Sequence, residues 1–296
     1  MPDQDAEYAL SSGGIYMPRT AATHRDDEYD PIGFDVLLDM QRRHFWYVGR
    51  HRFLLHALRA QLHGRQKLSG LDAGGGCGGW LAHLAQHEAD TFAELALADS
   101  SRRALELAGP VLGDRVKRYQ VDLLDTRWRD RWDVIFLLDV IEHIPNHDQV
   151  FAELRRALKP GGLLIVTAPA LQFFWSYNDE MVHHVRRYSR GDLAQLAQAE
   201  NFEVLRTRYF MFLLSPLLML SRWKRVDVAS MSREQVAATL RKTHRVPIAP
   251  VNALLAGVFS LETPLGRFVP FPWGTSVLGV FRKPLHAALD SHAPAR

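Results

Sequence analysis

Leu71-Asp72-Ala73-Gly74-Gly75-Gly76-Cys77-Gly78-Gly79-Trp80 is the stretch on which the reading of this chain turns. A strand-like segment runs into five glycines with one interruption, and the helix-compatible Trp80-Leu81-Ala82-His83-Leu84-Ala85 follows. Glycines that dense between a strand and a helix let the backbone turn sharply and let a large ligand lie against it. A nucleotide or nucleoside is the usual occupant of such a loop.

Outward from the loop, strand and helix patterns alternate. Short apolar runs over 67–73, 92–98, 116–121, 132–138 and 163–168 predict five strands, with helices between them. Val134-Ile135-Phe136-Leu137-Leu138 is continuously apolar, which fits a strand buried on both faces. The segments at 202–209 and 276–281 predict a sixth and a seventh strand. This pattern predicts an α/β fold with helices on both faces of a largely parallel sheet. Asp99, Asp122 and Asp139 each follow a predicted strand. In open parallel sheets the ligand crevice lies outside the carboxyl ends of the strands, so all three fall on the edge that carries the glycine loop. Any one of them taken alone would serve equally as a helix cap or turn residue.

The 296 residues carry 36 basic and 33 acidic side chains, a formal charge of +3, with the arginines scattered. That balance does not exclude a polyanion-binding stripe but does not point to one, and nucleic acid is not an expected partner. Cys77 is the only cysteine, which rules out an intrachain disulfide and suits a reducing compartment. The acidic start, Met1-Pro2-Asp3-Gln4-Asp5, lacks the order of a signal peptide, so a cytoplasmic location is expected.

Gly74, Gly76 and Gly79 satisfy the dinucleotide pattern G-x-G-x-x-G. Asp72 before them favours a ligand with positive charge nearby over a doubly charged pyrophosphate. With that acid and the alternate glycines, the stretch resembles the first motif of class I S-adenosylmethionine-dependent methyltransferases. The resemblance continues through Asp99, Asp122, Asp139-Val140-Ile141-Glu142-His143-Ile144-Pro145 and Leu158-Lys159-Pro160-Gly161-Gly162. It implies S-adenosylmethionine as cofactor, bound by Asp72, Gly74, Gly76, Gly78, Asp99, Asp122 and Asp139. Asp99 would meet the ribose and Asp122 the adenine amine. It further implies a Rossmann-like sheet of seven strands, six parallel and the last antiparallel. Gly75 stands where the family often has Cys, which leaves Cys77 as a packing residue. From about His44 onward the chain is similar to bacterial type-11/12 methyltransferases, whose acceptors are diverse. The segment from Asp139 to Pro145 is also similar to that of quinone-pathway O-methyltransferases, so an aromatic hydroxyl is one acceptor to expect.

Residues 173–189 gather aromatic rings, two acids, two histidines and two arginines after the fifth strand, where an acceptor would sit. A neutral imidazole suits removal of an acceptor proton near neutral pH, which makes His183 or His184 the candidate base and His143 the rival. Arg186 or Arg187 would orient an anionic group, and Trp175 and Tyr177 would line the acceptor. These residues would otherwise pair among themselves, Arg with Asp179 and Glu180. No metal is expected, because Pro145 spoils helical spacing between His143 and His147. The expected reaction is methyl transfer to a small-molecule or lipid-linked acceptor, at oxygen before nitrogen. A tRNA, rRNA or protein methyltransferase and an NAD-dependent oxidoreductase are the alternatives.

The expected organisation is a disordered tail (1–31), a methyltransferase core opening with a helical lid (32–209), a helical hydrophobic insertion (210–275), a final strand (276–284) and a second tail (285–296). Within the lid, His44-Phe45-Trp46-Tyr47-Val48-Gly49-Arg50 would cover the cofactor, with Arg50 near a carboxylate, or else pack as a plain helix on the sheet edge. The insertion's apolar stretches fall short of the roughly 20 residues that cross a bilayer. It would cover the substrate crevice, form a homodimer contact, or touch a membrane surface peripherally through 210–225, where Arg222-Trp223-Lys224-Arg225 borders apolar residues.

Overall fold

The computed structural model describes residues 7–19, 34–222 and 226–285. Its strands are β1 (Tyr8–Leu10), β2 (Tyr16–Pro18), β3 (Leu68–Ala73), β4 (Phe92–Asp99), β5 (Val116–Gln120), β6 (Trp132–Leu138), β7 (Leu158–Pro169), β8 (Glu203–Phe210) and β9 (Ser276–Arg282). They form one sheet in the order β1-β2-β5-β4-β3-β6-β7-β9-β8. Strands β5, β4, β3, β6 and β7 pair in parallel. The last strand, β9, runs antiparallel to both β7 and β8, which leaves β8 aligned with the parallel set. The expected Rossmann-like seven are therefore present, six in one direction and the last opposed. Strand β7 begins at Leu158 instead of position 163, because the Lys159-Pro160-Gly161-Gly162 turn is absorbed through a register shift against β6.

Two further strands correct the expectation of a disordered N-terminal tail over residues 7–19. Strands β1 and β2 form an antiparallel ribbon whose second strand bridges β5 at Tyr16 and Tyr119. Apolar side chains anchor it. The Tyr8 ring stacks on Trp128 at 5.4 Å, Tyr16 stacks on Tyr119 at 4.8 Å, and Ile15 is fully buried. The Tyr8 hydroxyl also donates to the Thr126 carbonyl at 2.7 Å. The rest of that expected tail, most of the C-terminal one, and Trp223, Lys224 and Arg225 lie outside the described residues.

The central strands are buried on both faces, as their apolar runs require. Leu71, Ala73, Ile135 and Leu137 enter one core, and Leu97, Val134, Phe136 and Leu138 enter the other. Each large side chain so removed from water contributes about 1.5–3 kcal/mol. The helices are α1 (Phe34–Arg43), α2 (Phe45–Leu62), α3 (Gly79–His87), α4 (Arg102–Leu112), α5 (His147–Ala157), α6 (Tyr177–Met181), α7 (Arg190–Ala199), α8 (Ser215–Ser221), α9 (Arg233–Thr243) and α10 (Ala249–Phe268). Ser189 and Asp192 close a capping box at the start of α7, satisfying two backbone donors reciprocally.

The chain turns at His44 between α1 and α2, and the imidazole Nδ1 of His44 accepts from Trp46 N at 3.2 Å. Helix α10 locks this corner. Asn252 accepts from Phe45 N and donates to the Arg43 carbonyl, each at 2.8 Å. Gly49 lies inside α2 because a Cβ there would sit 2.1 Å from the Phe259 ring of α10. The insertion thus packs directly on the lid.

Candidate functional site

A cavity of about 620 Å³ opens at the carboxyl ends of β3, β4 and β6. Its inner wall is the loop Gly74–Gly76 with Asp72, Asp99, Asp122 and Asp139, and α1 and α2 close it from above through Leu37, Gln41, Tyr47 and Arg50. The loop takes a left-handed backbone at Gly74 (φ +74°) and Gly76 (φ +57°), which side chains resist. At Gly75 the constraint is space, since a Cβ would lie 2.3 Å from Asp72 Oδ2. Gly78 is left-handed too, but it N-caps α3 and packs against Leu112 behind the wall.

The three strand-end acids have different tasks. Asp99 ties the loop to β4, accepting from Gly76 N at 3.0 Å and Ser101 N at 2.9 Å. Asp122 accepts from Leu124 N at 2.9 Å and so shapes the turn beside the cavity. Asp139, itself left-handed at φ +57°, pairs with the buried Arg50 guanidinium. Arg50 lies 4.7 Å from the Trp46 ring centroid and 5.0 Å from that of Tyr47, which hold it in place. The aromatic cluster of the lid thus sets one cation among the acids, as its sequence suggested.

Asp72 is almost fully buried, and its Oδ1 has no hydrogen-bond partner. Burial pushes its carboxyl up to about 7, against the pull of Arg50. An orphaned acid beneath a glycine cradle, with a guanidinium close by, suits a ligand bearing both an ammonium and a carboxylate. The residues fit S-adenosylmethionine.

The wall of the cavity formed by residues 177–187 is built around Asp179 of α6. Arg187 donates to it from Nε at 2.8 Å and from Nη2 at 3.0 Å, and His184 Nδ1 lies 2.9 Å from Oδ1. Burial alone would raise the Asp179 carboxyl, but these hydrogen bonds and the guanidinium charge hold it well below the usual carboxylate range. With Nδ1 committed to Asp179, His184 turns Nε2 toward Glu142 Oε1 at 3.9 Å. The His143 and His184 rings meet edge to face at 4.8 Å. Burial, with Asp139 beside it, pushes the Glu142 carboxyl far above its ordinary range.

His143, His184, Tyr177 and Arg187 all face the cavity. His183 does not. It is exposed, with φ +59°, because the chain reverses there to bring His184 N onto the Asp179 carbonyl at 2.8 Å. Trp175 and Arg186 also lie outside the wall, and Arg186 donates to the Pro145 carbonyl at 2.9 Å. Arg187 faces the cavity but is paired with Asp179. His147 bonds the Tyr188 hydroxyl at 2.7 Å. Gln41, Glu142, Asp179, Arg222, His244 and Arg245 were not singled out by sequence as site residues. Glu142 carried a signal inside the Asp139–Pro145 motif, Asp179 one as the expected partner of the arginines, which it is for Arg187, and Arg222 one in the basic run of the insertion.

A family model described as a methyltransferase domain matches residues 40–207. A stretch of 101 residues, 33% of this chain, is 32% identical to phosphoethanolamine N-methyltransferase 2 of Caenorhabditis elegans and spans only 23% of that relative's length. The fold is similar to Haemonchus contortus phosphoethanolamine N-methyltransferase 2 in complex with S-adenosyl-L-methionine, at 16% identity and TM-score 0.56, over 91% of this chain and 62% of that one. It is similar also to the cyclase SpnF, at 18% identity and TM-score 0.55, over 86% and 94% of the two chains. Matched by that model over more than half of its length, and folded like these structures, the chain belongs to the methyltransferase domain family.

Proposed function

We propose that this enzyme methylates a hydroxyl on a small-molecule or lipid-linked acceptor that enters beneath the insertion. The observation that carries this reading is the His184–Asp179 pair in the wall of the cofactor cavity. When bound, S-adenosylmethionine supplies an electrophilic methyl on a sulfonium. What remains for the protein is to place the acceptor in line and to make its oxygen nucleophilic. An imidazole whose Nδ1 proton is held by a carboxylate presents an unprotonated Nε2, able to take up that proton or to hold a Lewis acid. Tyr177 and the neighbouring Arg222 and Arg245 form the outer wall, where an anionic group on the acceptor would lie.

The insertion favours a lipid-linked acceptor. Leu217 and Leu220 of α8, and Leu254, Leu261, Leu265 and Phe268 of α10, are exposed, while Leu217, Leu218 and Leu255 line the cavity. One element therefore carries both an apolar outer surface and the mouth of the site. Among the described residues no helix is long and apolar enough to cross a membrane, so the contact would be interfacial.

A second reading, methylation of an amine on a phosphate-bearing small molecule, is favoured by the name of the Caenorhabditis elegans relative. One experiment separates the two. The protein is incubated with methyl-labelled cofactor and, separately, aqueous and lipid extracts, and labelled products are fragmented by mass spectrometry. Label on oxygen in the lipid fraction supports the first reading. Label on nitrogen in the aqueous fraction rejects it for the second.

A further inference from the structure

We propose that Glu142, His143 and His184 bind a divalent first-row metal ion on the acceptor side of the cavity. The inference rests on the reading of that face as the acceptor site, and it goes further in naming what activates the hydroxyl. The three side chains offer one carboxylate oxygen and two ring nitrogens, all within 4.8 Å of one another. Metal–ligand bonds of about 2.1 Å would draw the donors to about 3–3.5 Å apart, a side-chain adjustment rather than a backbone one. The Glu142–His184 approach, at 3.9 Å, is already close to that.

Two observations independent of the clustering point the same way. Glu142 is 1% exposed, it faces the cavity, and its Oε2 has no hydrogen-bond partner. A buried carboxylate oxygen left unsatisfied costs free energy that a bound cation would recover. His184 shows the arrangement of a metal ligand seen from behind. Asp179 accepts the hydrogen bond of its Nδ1–H and so favours the tautomer with a lone pair on Nε2, and Arg187 in turn fixes Asp179 with two hydrogen bonds. A base working alone needs the first of these contacts, but it has no need of a second acid and a second imidazole in front of it. One carboxylate with two imidazoles suits Mn²⁺, Fe²⁺, Co²⁺ or Zn²⁺ better than Mg²⁺, which prefers oxygen ligands. An acceptor hydroxyl bound to such an ion loses its proton more readily and meets the methyl group from a fixed position. As the C–O bond forms, the C–S bond breaks and its electron pair stays on sulfur, while the hydroxyl proton leaves to solvent.

The test is calorimetric titration of the chelator-treated, full-length protein with MnCl₂ and with ZnCl₂, alongside loss of the free Mn²⁺ resonance signal. Uptake of one ion per chain is expected, weakened at least about 10-fold in Glu142→Gln and in His184→Gln and unchanged in His183→Gln. If Glu142→Gln does not fold, His143→Gln replaces it. No uptake, or equal uptake in all variants, overturns the site. Cofactor binding and methyl transfer are followed in parallel. Full methyl transfer by metal-free protein overturns the metal while leaving the acceptor reading intact. Metal uptake without transfer of label to any extract upholds the site and overturns the acceptor reading.

Discussion

Asp72 shows how a single side chain can trade stability for binding. Its ordinary value is 3.8, and burial raises it to about 7 in the folded chain. Between those two values the folded protein holds a proton that the unfolded chain has released. Stability of the ligand-free enzyme therefore falls as pH rises through this window and levels off above it, by at most about 4 kcal/mol. Asp72→Asn cannot titrate. Its thermal midpoint should exceed that of the parent by a margin that widens from pH 4 to 7.5, read by calorimetry. A constant margin would show that Asp72 is solvated. The same variant should bind S-adenosylmethionine more weakly and lose whatever tightening the parent shows between pH 6 and 8. At Asp99 the expectation is simpler. Asp99→Ala removes the acceptor for Gly76 N and Ser101 N, and titration should show cofactor affinity falling about 10–100-fold. Both acids were legible because each stands in a motif at a strand end. Glu142 was legible only as a motif letter, since its isolation is created by chain segments forty positions apart. His183 and His184 could not be told apart until the left-handed turn at His183 was seen.

At the scale of elements, α1 rests on the loop it covers. Gln41 Oε1 accepts from Gly79 N at 3.0 Å, and a Cβ at Gly79 would sit 2.6 Å from Gln41 Cβ. Gly79→Ala should favour α3 locally, because alanine is the better helix former by about 1 kcal/mol. It should nevertheless push α1 off the cavity. Stopped-flow tryptophan fluorescence should then report cofactor dissociation about 10-fold faster, with the dissociation rate carrying the change rather than the association rate. An unchanged rate would mean that α1 does not retain the ligand. The core strands were readable from apolar runs because burial on both faces leaves no other use for Val134 to Leu138. Ribbon β1–β2 was not readable. Its two buried side chains, Tyr8 and Ile15, lie seven positions apart, too few and too far apart in sequence to make a period.

For the whole molecule, the exposed face of α10 is what would hold the enzyme at a lipid surface under the proposed function. Leu254, Leu261, Leu265 and Phe268 recur at helical spacing and stand in water, with α8 contributing Leu217 and Leu220. Leu254→Glu with Leu261→Glu should cut recovery with sedimented liposomes several-fold and leave titrated cofactor affinity unchanged. Equal recovery for parent and variant would assign this face to a protein contact. The sequence displayed the apolar stretches but could not say which residues of α10 turn inward, since Phe259 is buried against Gly49 only through the long-range return of the insertion onto α2.

Asn252 makes that return matter for kinetics. By bonding both sides of the α1–α2 corner, it couples the roof over the cofactor to the wall over the acceptor. A roof and a wall so tied would open as one body, and the deeper nucleoside should then enter first and leave last. Product-inhibition kinetics should accordingly show ordered sequential turnover, with the methylated product departing ahead of the spent cofactor.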